Sequence, residues 1–159
     1  MRVYVETSVW SLAFAEDAPD YRVDTLAFFQ RCRERSVEPV ISPVVLDELD
    51  RANPPLRDEI RTLVHEIGPS VVSFDDDAAR LAAAFLREHA VPASKPEDAK
   101  HVAIAFAAEL DVLVSWNFRH IVSVRRADRF NAVAILEGFF KPVRVASPAE
   151  VFDDDFSAP

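Results

Sequence analysis

Glycine is nearly absent from this chain: only Gly68 and Gly138 occur in 159 residues. A loop that cradles phosphate with backbone amides needs several glycines close together, so P-loop and dinucleotide-binding enzymes are excluded. Cysteine is scarcer still. Cys32 stands alone, which excludes internal disulfides and multi-thiolate metal sites, and the pattern around it reads as a buried helix position. No run approaches the roughly 18 apolar residues of a membrane span. The segment Met1–Glu6 meets a carboxylate before a signal-peptide core could form. Positive charge is also short, with 18 Lys and Arg against 27 Asp and Glu for a net −9. Bulk charge therefore works against a grip on nucleic acid or on an anionic membrane. The expectation is a soluble cytoplasmic protein with no membrane contact.

What is present is core. Half of the residues are hydrophobic and 28% are charged, a balance that supports packing and excludes disorder. The length favours a single domain, expected over 1–147, with a short acidic C-terminal tail over 148–159. Short apolar runs at 2–5, 38–42, 71–74, 111–115 and 143–146 read as strands. Between them lie helical periods: one after Ser8, which can cap it, then 21–35, one from Pro43, 56–67, 77–89, 97–109 and 127–139. Asn53-Pro54-Pro55 breaks the helix that starts at Pro43, and Asp75-Asp76-Asp77 puts negative charge at the start of 77–89. Strands alternating with helices predict an α/β fold, a three-layer α/β/α sandwich around a central parallel sheet.

Chemistry in such sheets collects at the carboxyl ends of the strands. Glu6 follows the first strand directly, Ser42 the second, and Ser115 and Asn117 the strand at 111–115. Glu48 lies on the helix after the second strand, and Asp98 opens the helix leading into 111–115. Carboxylates that converge in a cleft repel one another unless a cation lies between them, and hard oxygen ligands suit Mg²⁺ or Mn²⁺. With 27 acidic residues in the chain, the alternative is that each of these is separately a helix cap or a surface charge.

Four blocks in order resemble the motifs of PIN domains, above all the VapC-type toxins and their stand-alone relatives. They are Val5-Glu6-Thr7-Ser8, Ser42 to Leu49 (SPVVLDEL), Asp98 to Ala105 (DAKHVAIA), and Leu113 to Phe118 (LVSWNF). The resemblance spans residues 2 to about 146. It implies a Mg²⁺- or Mn²⁺-dependent endoribonuclease that leaves a 5′-phosphate and a 3′-hydroxyl. Glu6, Glu48 and Asp98 match the family's metal-binding acids. Asn117 falls where many members carry a fourth Asp, so it would orient water or complete the coordination shell. Glu6 in place of the usual Asp keeps the charge and lengthens the reach by one methylene.

On that reading Ser8 and Ser115 would hydrogen-bond to the acids or to a phosphate, and Thr7 would do the same or cap the helix. His101, three residues after Asp98 and on the same helical face, reads as a structural or supporting group rather than a reacting one. Arg119, His120, Arg125 and Arg126 are the candidate RNA contacts. Trp116 and Phe118 are candidates to stack on bases, with core packing the stronger role for one of them. Trp10 and Phe14 read as core or dimer interface. The resemblance further implies an antitoxin partner and a homodimer. Two other readings stand beside it: a PIN domain without catalysis that serves as a binding module, and a phosphatase-like hydrolase with a carboxylate nucleophile. The second lacks the nearby Asp that such an enzyme needs. The net charge is unevenly spread. Residues 115–144 hold six cations against Asp128 and Glu137, a local +4, which leaves −13 elsewhere. An RNA substrate is thus compatible with an acidic chain.

Overall fold

The computed structural model describes residues 1–153. Five strands, β1 (Arg2–Val5), β2 (Glu38–Ile41), β3 (Ser70–Val71), β4 (Val112–Val114) and β5 (Arg144–Ala146), form one sheet in the order β3-β2-β1-β4-β5. Every pairing is parallel, as expected from the alternating sequence pattern. Seven helices flank it: α1 (Thr7–Leu12), α2 (Pro19–Arg33), α3 (Pro43–Asp50), α4 (Leu56–Ile67), α5 (Asp76–Arg87), α6 (Pro96–Ala107) and α7 (Val124–Leu136). The chain runs outward from β1 to β3, then returns to β4 on the other side of β1. Right-handed crossovers therefore place α1 to α4 on one face and α5 to α7 on the other. Val3, Tyr4, Val5 and Leu113 in the two central strands are fully buried, which is what a sheet covered on both faces requires.

Several boundaries differ from the sequence reading by one to three residues. α2 begins at Pro19 rather than 21, because proline's fixed φ suits a first helical position. β3 covers two residues and ends at Val71, so Val72 to Phe74 lie outside the strand. α7 begins at Val124 rather than 127, because Ser123 Oγ accepts the Arg126 amide at 3.1 Å and caps it. After β5 the chain stays with the domain: Val151 is buried, and Phe152 stacks on Phe28 with ring centroids 6.0 Å apart. Of the acidic triplet in the expected tail, Asp154 and Asp155 lie outside the described residues.

The switch in strand order falls between β1 and β4. The parallel sheet ties the exit of β1 to β4, Glu6 N donating to Val114 O at 3.0 Å, and the exit of β4 to β5, Ser115 N donating to Ala146 O at 3.1 Å. Their carboxyl ends form the crevice where ligands of open α/β sheets bind.

Candidate metal centre

Glu6 leaves β1 in extended conformation (φ −70°, ψ 157°) and caps α1 itself. Ser8, expected as the cap, serves instead as a donor. Glu6 Oε2 accepts three hydrogen bonds: from Ser8 N at 3.2 Å, Ser8 Oγ at 2.5 Å and Ser115 Oγ at 2.8 Å. Both serines are themselves fixed by the loop after β4. Ser8 Oγ accepts from Trp116 N and Ser115 Oγ from Asn117 N, each at 2.9 Å. The Glu6 carboxylate is only 6% exposed, and its Oε1 has no hydrogen bond among the described residues. Such a group is costly to bury unless its charge is met from somewhere.

Glu48 comes from the second turn of α3, whose N-terminus is set by Ser42 as cap and Pro43 at the first helical position. Its Oε1 is hydrogen-bonded to His101 Nε2, and that nitrogen is also 3.9 Å from Glu6 Oε1. His101 sits on α6 and is fully buried. Its Nδ1 lies 2.7 Å from the Tyr4 hydroxyl, which in turn lies 2.8 Å from Ser42 Oγ. Tyr4 and Glu6 are two residues apart along β1 and its exit, so they address the same side of the sheet. Burial pulls the His101 pKa down. The hydrogen bond to Glu48 and the charges of Glu6, Glu48 and Asp98 pull harder, and the imidazole ends above its ordinary 6.5. Burial pushes the Tyr4 hydroxyl far above its usual range, so it remains an O–H.

The structure brings Glu6, Glu48 and His101 together, with one donor atom from each lying within 4.8 Å of the others. Asp98, in the first turn of α6, takes a different partner: its Oδ2 is 3.1 Å from His120 Nδ1. Asn117 Oδ1 accepts the His120 amide at 2.9 Å, and its backbone oxygen accepts from Ile121 and Val122, so Asn117 closes the loop after β4. Thr7 Oγ1 is shielded from solvent without a hydrogen-bond partner among the described residues. Trp116 is core, with Nε1 donating to Thr25 Oγ1 at 2.8 Å, while Phe118 stands 46% exposed beside exposed Arg119. Trp10 is fully buried, and Phe14 packs against the core. Arg125 and Arg126 border a cavity of about 710 Å³ together with His89, Ser123, Asp128 and Arg129. The two residues missed in the sequence are Tyr4 and, as a partner of His101, Ser42. Tyr4 reads there as one more apolar strand position.

These side chains fit a divalent cation. Glu6 Oε1 and Glu48 Oε2 have no hydrogen bond among the described residues, and His101 is the one basic group against them both. Carboxylate oxygens of this kind suit Mg²⁺ or Mn²⁺.

No protein-family model matches the sequence, and no curated protein matches it. The fold is found among solved structures. A chain of DNA-bound VapBC from Salmonella typhimurium aligns with a TM-score of 0.52 at 16% identity, over 93% of this chain and 98% of that one. A chain of VapBC2 from Rickettsia felis, bound to a promoter DNA fragment, aligns with a TM-score of 0.50 at 16% identity, over 75% of this chain and 90% of that one. The five-stranded parallel sheet, its two helical layers and these likenesses agree: the chain has the PIN-like α/β/α fold that its sequence motifs resemble.

Proposed function

We propose that the chain is a metal-dependent endoribonuclease and the toxin of a type II toxin–antitoxin pair. The observation that carries this reading is the Glu6 carboxylate. It is buried at the switch point of the sheet, held by three donors through one oxygen, with its other oxygen turned to Glu48 and His101. Glu6 and Glu48 would hold Mg²⁺ or Mn²⁺, with Asp98, on the His101 face of α6, as the third acid. A bound ion of this kind supplies a water of lowered pKa and offsets charge on the phosphate. The protein's own part is placement. Ser8 and Ser115 hold Glu6, His101 holds Glu48, and Asn117 shapes the loop that carries His120 to Asp98. Arg119 and Arg125 stand on the same loop and the start of α7, where they attract a phosphate backbone, while the neighbouring Arg126 holds the Ala90 carbonyl.

The two solved structures named above come from VapBC complexes, which supports a protein antitoxin as partner. In this reading the toxin is a cytoplasmic homodimer. Cleavage of a mixed RNA pool with Mn²⁺ tests the activity: it is expected for the wild type and expected to stop with EDTA and with Glu6→Ala. Cleavage that persists in Glu6→Ala removes the site from the mechanism. Growth arrest on expression, relieved by a short neighbouring reading frame, tests the toxin role. Sedimentation velocity tests the dimer.

A further inference from the structure

Glu6 and Glu48 are held by unlike means. Glu6 is buried against serines, whereas the Glu48 side chain is 23% exposed and His101 is its hydrogen-bond partner among the described residues. What fixes His101 therefore fixes Glu48. We propose that Tyr4 and Ser42 are positioning residues of the metal centre: they set the proton of His101 on Nε2 and so hold the Glu48 carboxylate in place. The proposal rests on the reading of Glu6 and Glu48 as cation ligands.

The direction of the hydrogen-bond chain follows from its far end. Ser42 Oγ accepts the Val45 amide at 3.5 Å as the cap of α3, and its other partner is the Tyr4 hydroxyl. The Ser42 proton is thus aimed at the Tyr4 oxygen, the Tyr4 proton at His101 Nδ1, and the imidazole proton on Nε2 at Glu48. Run the other way, the chain leaves the Ser42 proton without an acceptor among the described residues. Tyr4, Ser42 and His101 are each 0% exposed, so water does not make up that loss. A nitrogen that carries a proton toward Glu48 is a donor rather than a ligand. The centre then binds its cation through oxygen alone, with Glu48 Oε1 committed to His101 and Oε2 left for the ion. The same imidazole would serve as a ligand only if its proton sat on Nδ1.

Two measurements on the full chain test this. In the metal-free wild type, ¹⁵N NMR at a pH where His101 carries a single proton is expected to find it on Nε2; a bare Nε2 overturns the proposal. Mn²⁺ titration calorimetry then compares the wild type with Tyr4→Phe, His101→Leu and the double variant, alongside thermal melting. Tyr4→Phe removes one oxygen, keeps the ring in the core, and is expected to weaken Mn²⁺ binding about tenfold, the lower end for partners of ligating groups. His101→Leu is expected to weaken it further, and adding Tyr4→Phe to it should cost nothing more, since Tyr4 acts only through the imidazole. His101→Gln, whose amide can donate to Glu48, should restore part of the affinity. Wild-type affinity in Tyr4→Phe, or losses that multiply in the double variant, overturns the proposal. A wild type that binds no Mn²⁺ overturns the metal reading first, and the NMR result, read without metal, tells the two failures apart.

Discussion

Glu6 and Arg125 are charged groups held in opposite ways. Glu6 is buried, with three donors on one oxygen, and its serines are anchored to the loop after β4. Arg125 stands exposed at the start of α7 without a hydrogen bond or ion pair among the described residues. The acid cleft is a wired structure in which each group depends on the next. The basic segment is different: most of its cations are committed to the fold. Arg126 Nη1 donates to Ala90 O at 2.7 Å, Arg129 Nη2 to Glu88 O at 2.5 Å, and Lys141 pairs with Asp111 at 2.9 Å. The two arginines meet carbonyls at the C-terminal end of α5, where the helix dipole favours positive charge. The local +4 of the sequence thus overstates what is available to RNA, and Arg119 and Arg125 are left as the exposed cations of the loop and helix start.

The comparison breaks most sharply at Glu6. Glu6→Ala removes the buried carboxylate around which both serines turn. Its effect on Mn²⁺ affinity should exceed the ~10–100-fold that supporting partners cost, and RNA cleavage should fall below detection. Calorimetry and a cleavage assay check both. Ser115→Ala comes next. It removes one of three donors to Oε2 and also the acceptor of the Asn117 amide, so a loss of about tenfold in Mn²⁺ affinity is expected. If Ser115→Ala matched Glu6→Ala in effect, the loop after β4 rather than the acid would be setting the site.

A smaller effect is expected from pH. The folded state holds the His101 proton more tightly than the unfolded chain, for the reasons of charge and hydrogen bonding given above. The stabilisation is complete below the unfolded value near 6.5 and is lost as pH rises through the higher folded value. Metal-free protein should therefore show a falling denaturation midpoint from about pH 6 upward, and His101→Gln should flatten that slope. An unchanged slope in the variant assigns the dependence to another group.

Much of the scaffold was legible in the sequence because local chemistry marks it. α4 starts just after Pro55 and ends at Gly68, which adopts the left-handed conformation (φ 64°) that residues with a Cβ disfavour, so its bounds match the reading of 56–67. The Ser123 cap was harder to see, since the apolar pattern of α7 begins a turn later, and Ser8 was misleading as a cap because Glu6 takes that role two residues earlier, its side chain accepting the Ser8 amide. In the site, Glu6 was legible as an acid at a strand end and Glu48 as an acid on the helix that follows the second strand. The Tyr4–His101–Ser42 chain was not. Its members lie 38 and 97 residues apart, and a tyrosine in a four-residue strand is indistinguishable from a packing residue until α6 is laid against β1. The same limit applies to Asp98, whose partner His120 comes from a loop that only the fold brings to α6.

The weakest expected effect lies at the other pole. Arg125→Ala removes a solvated cation that supports nothing in the fold, so melting should be unchanged. If it meets one phosphate of a single-stranded substrate, RNA affinity should fall severalfold, and the slope of log affinity against log salt should shrink by ~0.7. Fluorescence anisotropy with a labelled RNA, on a Glu6→Ala background that prevents cleavage, measures both quantities. Arg126→Ala provides the contrast: its guanidinium holds the Ala90 carbonyl, so it should lower the melting temperature while changing the salt slope less. If Arg125→Ala instead left the salt slope intact, the acid cleft would bind RNA without help from this segment, and the division between a wired acid floor and a purely electrostatic rim would fail.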